Sequence, residues 1–165
     1  MENIKLRHAK IMDLPFIVEI YNSTIPSRMV TADTEPVSIN KRLAWFHEHS
    51  HDRRPLWIVE YSGMACGWVS LQSFYGRPAF DAAAEISIYL HKNYRGKGLG
   101  KKIICMVIDE CPKLGIETLL AFIFAHNGPS IKLVESCGFE KWGHLPQVAV
   151  LDEARRDLLI YGRKI

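Results

Sequence analysis

The segment Arg95-Gly96-Lys97-Gly98-Leu99-Gly100 sets three glycines among basic residues, directly after an apolar run and directly before a helix-like pattern. Glycine gives up more backbone freedom on ordering than any other residue, so this density implies a need for bare main chain. In such a loop, successive N–H groups can converge on one concavity, and the start of the following helix adds partial positive charge. Arg95 and Lys97 would add counter-charge for a pyrophosphate. A solvated turn with basic decoration is the competing reading. Two better-known phosphate loops are excluded. A P-loop needs glycine at position 95 and Ser or Thr at position 102, which are Arg95 and Lys102. The dinucleotide fingerprint needs glycine at position 101, which is Lys101.

Glu85 is the second chemically suggestive residue, a lone carboxylate at the start of the apolar stretch "AAAEISIYL". Buried there, its pKa would rise toward the working range of a general base; at a strand edge it would be a solvated charge. The residues alone leave both readings open. His47 and His51 have i, i+4 spacing with His49 between them, but no third ligand or HExxH pattern accompanies them. A polar helix face is expected there, and no metal. Lys92, Arg95, Lys97, Lys101 and Lys102 form a basic cluster, yet only Tyr94 interleaves it. Nucleic-acid binding is not expected from so few stacking aromatics.

These residues must be positioned by a fold. The 165 residues are 48% hydrophobic and 24% charged with a net charge of +3, which fits one globular domain over 1–165. No apolar run approaches the roughly 20 residues of a membrane span, and "MENIKLRHAK" carries charge where a secretory leader is apolar. A cytoplasmic protein is expected, with Cys66, Cys105, Cys111 and Cys137 as reduced core thiols. "IKLRHA" alternates as a strand; Asp13 is placed to cap a helix with Pro15 in its first turn, and Ser38 to cap a second carrying Leu43, Trp45 and Phe46. "LWIVEY" and "MACGWVSLQSF" flank Ser62-Gly63 as a hairpin, and "AAAEISIYL" is a further strand. Residues 98–111 read as a helix, "TLLAFIF" as a buried strand, and a helix from about Pro129 stops at Gly138. "RDLLIYGRKI" closes the chain, with one more strand possible around 139–142. The four tryptophans read as core. The order β-α-α-β-β-β-α-β-α-β indicates an α/β domain on a mixed sheet.

Arg95 to Gly100 resembles the R/Q-x-x-G-x-G/A signature of the GNAT acetyltransferase superfamily, and the element order is also similar to that superfamily's. Asn127-x-x-Ser130 with Gly138-Phe139 resembles its second motif, beside the pantetheine arm. The stretches "IYNSTI", "TADTEP", "FYGRPAFD", "AEISIYL", "YRGKGLG" and "AFIFAHNGPS" resemble the phosphinothricin N-acetyltransferase group. The resemblance implies a GNAT fold, a single mixed β-sheet flanked by about four helices, and transfer of acetyl from acetyl-CoA to an amine without a metal. It implies that Glu85 is the base. The cofactor-binding set is Ile88, Tyr89 and Leu90, whose strand would supply oxyanion donors, Arg95, Gly96, Lys97, Gly98, Leu99 and Gly100 on the pyrophosphate, and Asn127 and Ser130. It also implies a homodimer.

The substrate end is expected to hold a small amino-acid-like amine with a polar or anionic end, of the phosphinothricin, methionine sulfoximine or methionine sulfone type. Arg77 is the candidate cation, because a guanidinium grips a carboxylate or phosphinate with two parallel bonds. Phe74, Tyr75 and Phe80 are candidates for the pocket walls, and Arg28 is a second candidate cation. A polyamine, an aminoglycoside, a protein N-terminus or a non-catalytic CoA-binding role are the alternatives. Two departures stand out. Val134 occupies the position where many relatives place a proton-donating tyrosine, so no general acid is assigned. The segment "AVLDEARRD" lacks the histidine that herbicide-resistance members tend to carry.

Overall fold

A computed structural model describes residues 3–165. Seven strands form one sheet in the order β1-β2-β3-β4-β5-β7-β6. They are β1 (Ile4–His8), β2 (Leu56–Tyr61), β3 (Met64–Ser73), β4 (Ala83–Leu90), β5 (Thr118–Phe124), β6 (Glu140–Leu151) and β7 (Ala154–Lys164). The helices are α1 (Leu14–Thr24), α2 (Ile39–His47), α3 (Leu99–Glu110) and α4 (Gly128–Ser136). Every neighbouring pair is antiparallel except β4 and β5. The mixed sheet with four helices is the GNAT fold.

Period-two alternation sends opposite side chains of each strand into two cores. Leu56 and Ile58 of β2 join Trp68 of β3 under α1, where Ile17, Ile20 and Tyr21 are buried. Trp57 and Val59 point the other way, into the core with Leu99, Ile103, Ile104 and Val107 of α3. On β4, Ala84 and Ile86 enter that second core. Glu85, Ser87 and Tyr89 therefore face the α1 and α2 side, and this alternation sets up the site.

The decisive feature is where β4 and β5 part. Their parallel pairing covers only Ala83–Glu85 against Thr118–Leu120, while β4 runs on to Leu90. Along β4 the main-chain groups alternate sides. Ala82 O accepts from Thr118 N at 3.1 Å, on the β5 side, and His91 N donates to Cys66 O at 2.8 Å, on the β3 side. Ile86, Ile88 and Leu90 accordingly turn their N–H groups toward the gap.

Ser38 caps α2, accepting from Lys41 N at 3.2 Å. Ser62 and Gly63 both take positive φ in the β2–β3 turn, as a tight hairpin requires. Several sequence expectations need correction. Asp13 does not cap α1: its carboxylate accepts from Arg7 at 2.8 and 2.9 Å and from Lys10 N at 2.7 Å, which holds it in a 3-10 turn. Cys105 is exposed on α3, opposite the face that packs, while the other three thiols are buried. Trp142 is 45% exposed and Trp45 half-buried. Helix α2 ends at His47, so His47 and His51 share no helix face; His51 stacks on His8 instead, with ring centroids 3.9 Å apart. The chain ends in a long β6–β7 hairpin, of which β6 was expected only around 139–142. β6 is an edge strand with Gly143, Pro146 and two register shifts, which destroys clean alternation.

Candidate active site

Three adjoining spaces follow the parted strands. A chamber of about 460 Å³ lies on the α1–α2 side of the sheet and is bordered by Glu85, Ser87, Tyr89, Ser70, Gln72 and Phe122 among others. A neck of about 100 Å³ passes between β4 and β5, bordered by Ile86 to Tyr89 and Ala121 to Ile123. A groove of about 320 Å³ continues past Ile88 and Leu90 to Arg95, Gly100, Asn127 and Ser130. Tyr89 and Val30 border all three, so the spaces form one cleft.

Glu85 is half-buried in the chamber, opposite Gln72 across the β3–β4 ladder. Burial pushes its carboxyl above the ordinary glutamate range. The folded state therefore holds this proton more tightly than the unfolded chain. The carboxylate costs stability above its folded pKa and costs nothing below its unfolded one. Glu85→Gln is expected to melt at a higher temperature than wild type at pH 8, with the gain shrinking toward pH 4. Equal melting at both pH values would contradict an unpaired, desolvated carboxylate.

The glycines of the loop have separate tasks. Gly96 and Gly98 take φ of +71° and +74°, and an added Cβ at either would meet nothing within 4 Å. The backbone there is left-handed and open to a ligand. Gly98 also starts α3. Gly100 instead lets α3 approach α4, since a Cβ there would come within 2.9 Å of Leu133 Cδ2. Leu99 is buried in the core, leaving only its main chain for a ligand. Arg95 Nε donates to Leu90 O at 2.9 Å, tying the loop to the end of β4. Lys97 lies over the Tyr94 ring at 5.6 Å. Open left-handed glycines, a helix start and the unpaired β4 edge together fit the phosphates and arm of acetyl-CoA.

Asn127 borders the groove while making two internal bonds. Its Oδ1 accepts from Ser130 N at 3.3 Å, capping α4, and its Nδ2 donates to Met29 O at 3.1 Å. The second bond fastens the α1–α2 loop over the cleft. Arg28 sits in that loop with φ +55°, and its guanidinium donates to Asp152 at 3.0 and 3.3 Å and to Ile25 O at 2.9 Å. Those acceptors occupy it. Phe74, Tyr75 and Phe80 cluster with ring centroids 4.6 to 5.6 Å apart. Only Phe74 reaches the chamber wall, through Phe122 at 6.3 Å. Arg77 is exposed beside this cluster, outside the residues that border the chamber.

Sequence reasoning overlooked Tyr21, Arg42, Ser70, Gln72 and Ser87, all of which border the chamber. Ser70 and Gln72 left a trace in "WVSLQS", where polar residues take every second position of an apolar strand. Among the described residues, no group of three or more His, Cys, Asp or Glu side chains is placed to hold a metal ion. No helix there is long and apolar enough to cross a membrane.

A mixed sheet parted between β4 and β5 beside a glycine loop is the layout of an α/β acyltransferase fold shared with solved acetyltransferases. The chain belongs to the Acetyltransferase (GNAT) family, whose profile matches residues 16–139. YwnH of Bacillus subtilis (strain 168), named a putative phosphinothricin acetyltransferase, is 49% identical over 97% of this chain and 98% of its own. An L-methionine sulfoximine/L-methionine sulfone acetyltransferase of Salmonella typhimurium is 32% identical over 88% of this chain and 85% of its own. The crystal structure of a GNAT superfamily phosphinothricin acetyltransferase from Sinorhizobium meliloti, in complex with acetyl-CoA, superposes with a TM-score of 0.90. It is 27% identical and covers 98% of this chain and 88% of its own. The protein is an N-acetyltransferase that uses acetyl-CoA.

Proposed function

We propose that this enzyme acetylates the amino group of small amino acids of the phosphinothricin, methionine sulfoximine or methionine sulfone type, with Glu85 as general base. One observation carries the reading: a desolvated carboxylate stands in a chamber that opens, through the gap between β4 and β5, onto a groove ending at the Arg95–Gly100 loop. The names of the two sequence relatives supply the substrate class. By resemblance to the same group, the chain is one domain that works as a homodimer in the cytoplasm.

Acetyl-CoA supplies an activated thioester. The chain's own residues do the rest. Glu85 takes the proton from the substrate ammonium, and burial has already shifted its carboxyl toward the pH at which that transfer is effective. The N–H groups of Ile88 and Leu90, turned toward the gap, donate to the carbonyl oxygen as charge gathers there. The loop main chain from Gly96 to Gly100 holds the pyrophosphate, with Arg95 and Lys97 as counter-charges. Asn127 and Ser130 flank the arm between loop and neck.

Gly98→Val tests the loop. A β-branched residue at φ +74° is strained by roughly 1–2 kcal/mol, and its methyls would fill the space left for phosphate. CoA affinity is expected to fall about tenfold or more, with turnover at saturating acetyl-CoA much less affected. An unchanged dissociation constant would remove the loop from the phosphate site.

The substrate class is tested by thiol release from acetyl-CoA against a panel of amines at neutral pH. The panel holds phosphinothricin, methionine sulfoximine, methionine sulfone, ordinary amino acids, spermidine and an aminoglycoside. Turnover confined to the first three is expected. Turnover on spermidine or the aminoglycoside alone would overturn the substrate class while keeping the transferase.

A further inference from the structure

We propose that Arg42 binds the carboxylate of the substrate, so that the chamber recognises a zwitterion: ammonium at Glu85 and carboxylate at Arg42. This inference rests on the substrate class given above and names the residue that selects it. Arg42 and Glu85 are the two charged side chains among the described residues that border the chamber. They have opposite signs and no ion pair joins them. A partly buried cation and a half-buried carboxylate held apart across one cavity are each incompletely solvated and not paired with each other, a cost that a ligand of matching charges would offset.

Arg42 is held in place without being consumed. Its guanidinium lies 4.1 Å from the centroid of the Tyr21 ring and 5.1 Å from that of Trp45, an arrangement that fixes the plane of the fork. Trp45 in turn packs on Trp68 at 5.4 Å, and Trp68 stacks on Tyr89 at 4.5 Å. The cation is thus anchored to the same strand, β4, that carries Glu85. Its side chain is only 20% exposed. Among the described residues its one ion-pair partner is Asp33, whose carboxylate is 3.8 Å away, beyond hydrogen-bond reach, and already accepts from the Tyr21 hydroxyl. Among the described residues the donors of the fork make no hydrogen bond, in contrast to Arg28 with its three. Ser70 lies beneath the chamber on the same face of β3 as Trp68, fully buried and with no partner for its hydroxyl.

The ligand class follows from this charge pattern. A planar, forked donor matches a carboxylate with two parallel bonds. Methionine sulfone has that group as its only anion, and its amine is the acceptor of the acetyl group. A polyamine would place a second cation against Arg42, which the chamber opposes.

The test compares methionine sulfone with its decarboxylated counterpart, 3-(methylsulfonyl)propan-1-amine, in the wild type, Arg42→Gln and Arg42→Lys. The wild type is expected to favour the amino acid by about 100-fold in kcat/KM, the range of a bidentate charged contact. Arg42→Gln is expected to lose most of that preference, chiefly through KM for the amino acid, with Arg42→Lys restoring part of it. The dissociation constant for CoA reports that each variant is folded and should match wild type. A preference ratio unchanged in Arg42→Gln would overturn the assignment, as would equal losses on both amines with CoA binding intact. A wild type that acetylates both amines equally would overturn the carboxylate contact while leaving Glu85 and acyl transfer untouched. A wild type that acetylates neither, and turns over only a polyamine or aminoglycoside, would overturn the substrate class and this assignment together.

Discussion

Glu85→Gln is expected to lower turnover by about 10²–10⁴-fold while leaving CoA affinity unchanged. The amide keeps the size of the side chain, so the chamber keeps its shape, but it cannot accept a proton from the substrate ammonium. An α-amino group is mostly protonated at neutral pH, and without a base in the chamber only the small neutral fraction reacts. The residual rate should rise with pH as that fraction grows. With Glu85 as the proposed base, taking the proton after the amine has bound, the wild type should show a shallower rise. Steady-state kinetics from pH 6 to 9 on both proteins checks this. Wild-type turnover in the variant at neutral pH would remove Glu85 from the chemistry.

Gly67→Ala is expected to be among the most damaging single changes in the sheet. Gly67 faces Leu90 across the β3–β4 ladder, next to a register shift between β2 and β3. A Cβ there would lie 2.4 Å from Tyr89 O and 2.6 Å from Leu90 Cδ2. The first of these atoms is main chain and cannot swing away. Overpacking of this kind costs about 1–3 kcal/mol or more, and each kcal/mol lowers Tm by about 2–4 °C in a chain of this size. The displaced atoms belong to the end of β4 that turns its N–H groups toward the gap, so turnover should fall together with stability. Gly128→Ala provides the contrast, since its Cβ meets nothing within 4 Å and its φ is not positive. That variant is expected to melt at the wild-type temperature or above it. Thermal melts of the two proteins side by side check the pair, and equal Tm values would contradict the close approach at Gly67.

How far the site was legible in the sequence depends on how local its signals are. The glycine loop and the Ser38 cap are short-range, and each appears where its residue types required. Glu85 was visible as a charge in an apolar strand, but its burial depended on the chamber beside it. The β6 strand was largely hidden because an exposed edge has no core to enforce alternation, and Pro146 and Gly143 argue against a strand locally. Asp13 was misassigned because its tie to Arg7 is a contact between separate elements, and local spacing fits a cap equally well. Arg42 left no local signal: it is one of several basic residues on α2, and only the packing of α2 beside Tyr21 and Trp68 brings it to the chamber. Arg77 and Arg28 had the right chemistry in suggestive stretches. The fold leaves the first outside the chamber wall and commits the second to Asp152.

The central claim is that acetyl-CoA and an amino acid meet at the parted strands, with the amine at Glu85. It is tested most directly by a crystal structure of the enzyme with CoA and methionine sulfone bound together. Pyrophosphate is expected against the main chain of Gly96 to Gly100. The substrate amine is expected within about 2.6–3.2 Å of the Glu85 carboxylate, directly or through one water. An amine bound outside the chamber, with Glu85 facing only solvent or protein, would contradict it.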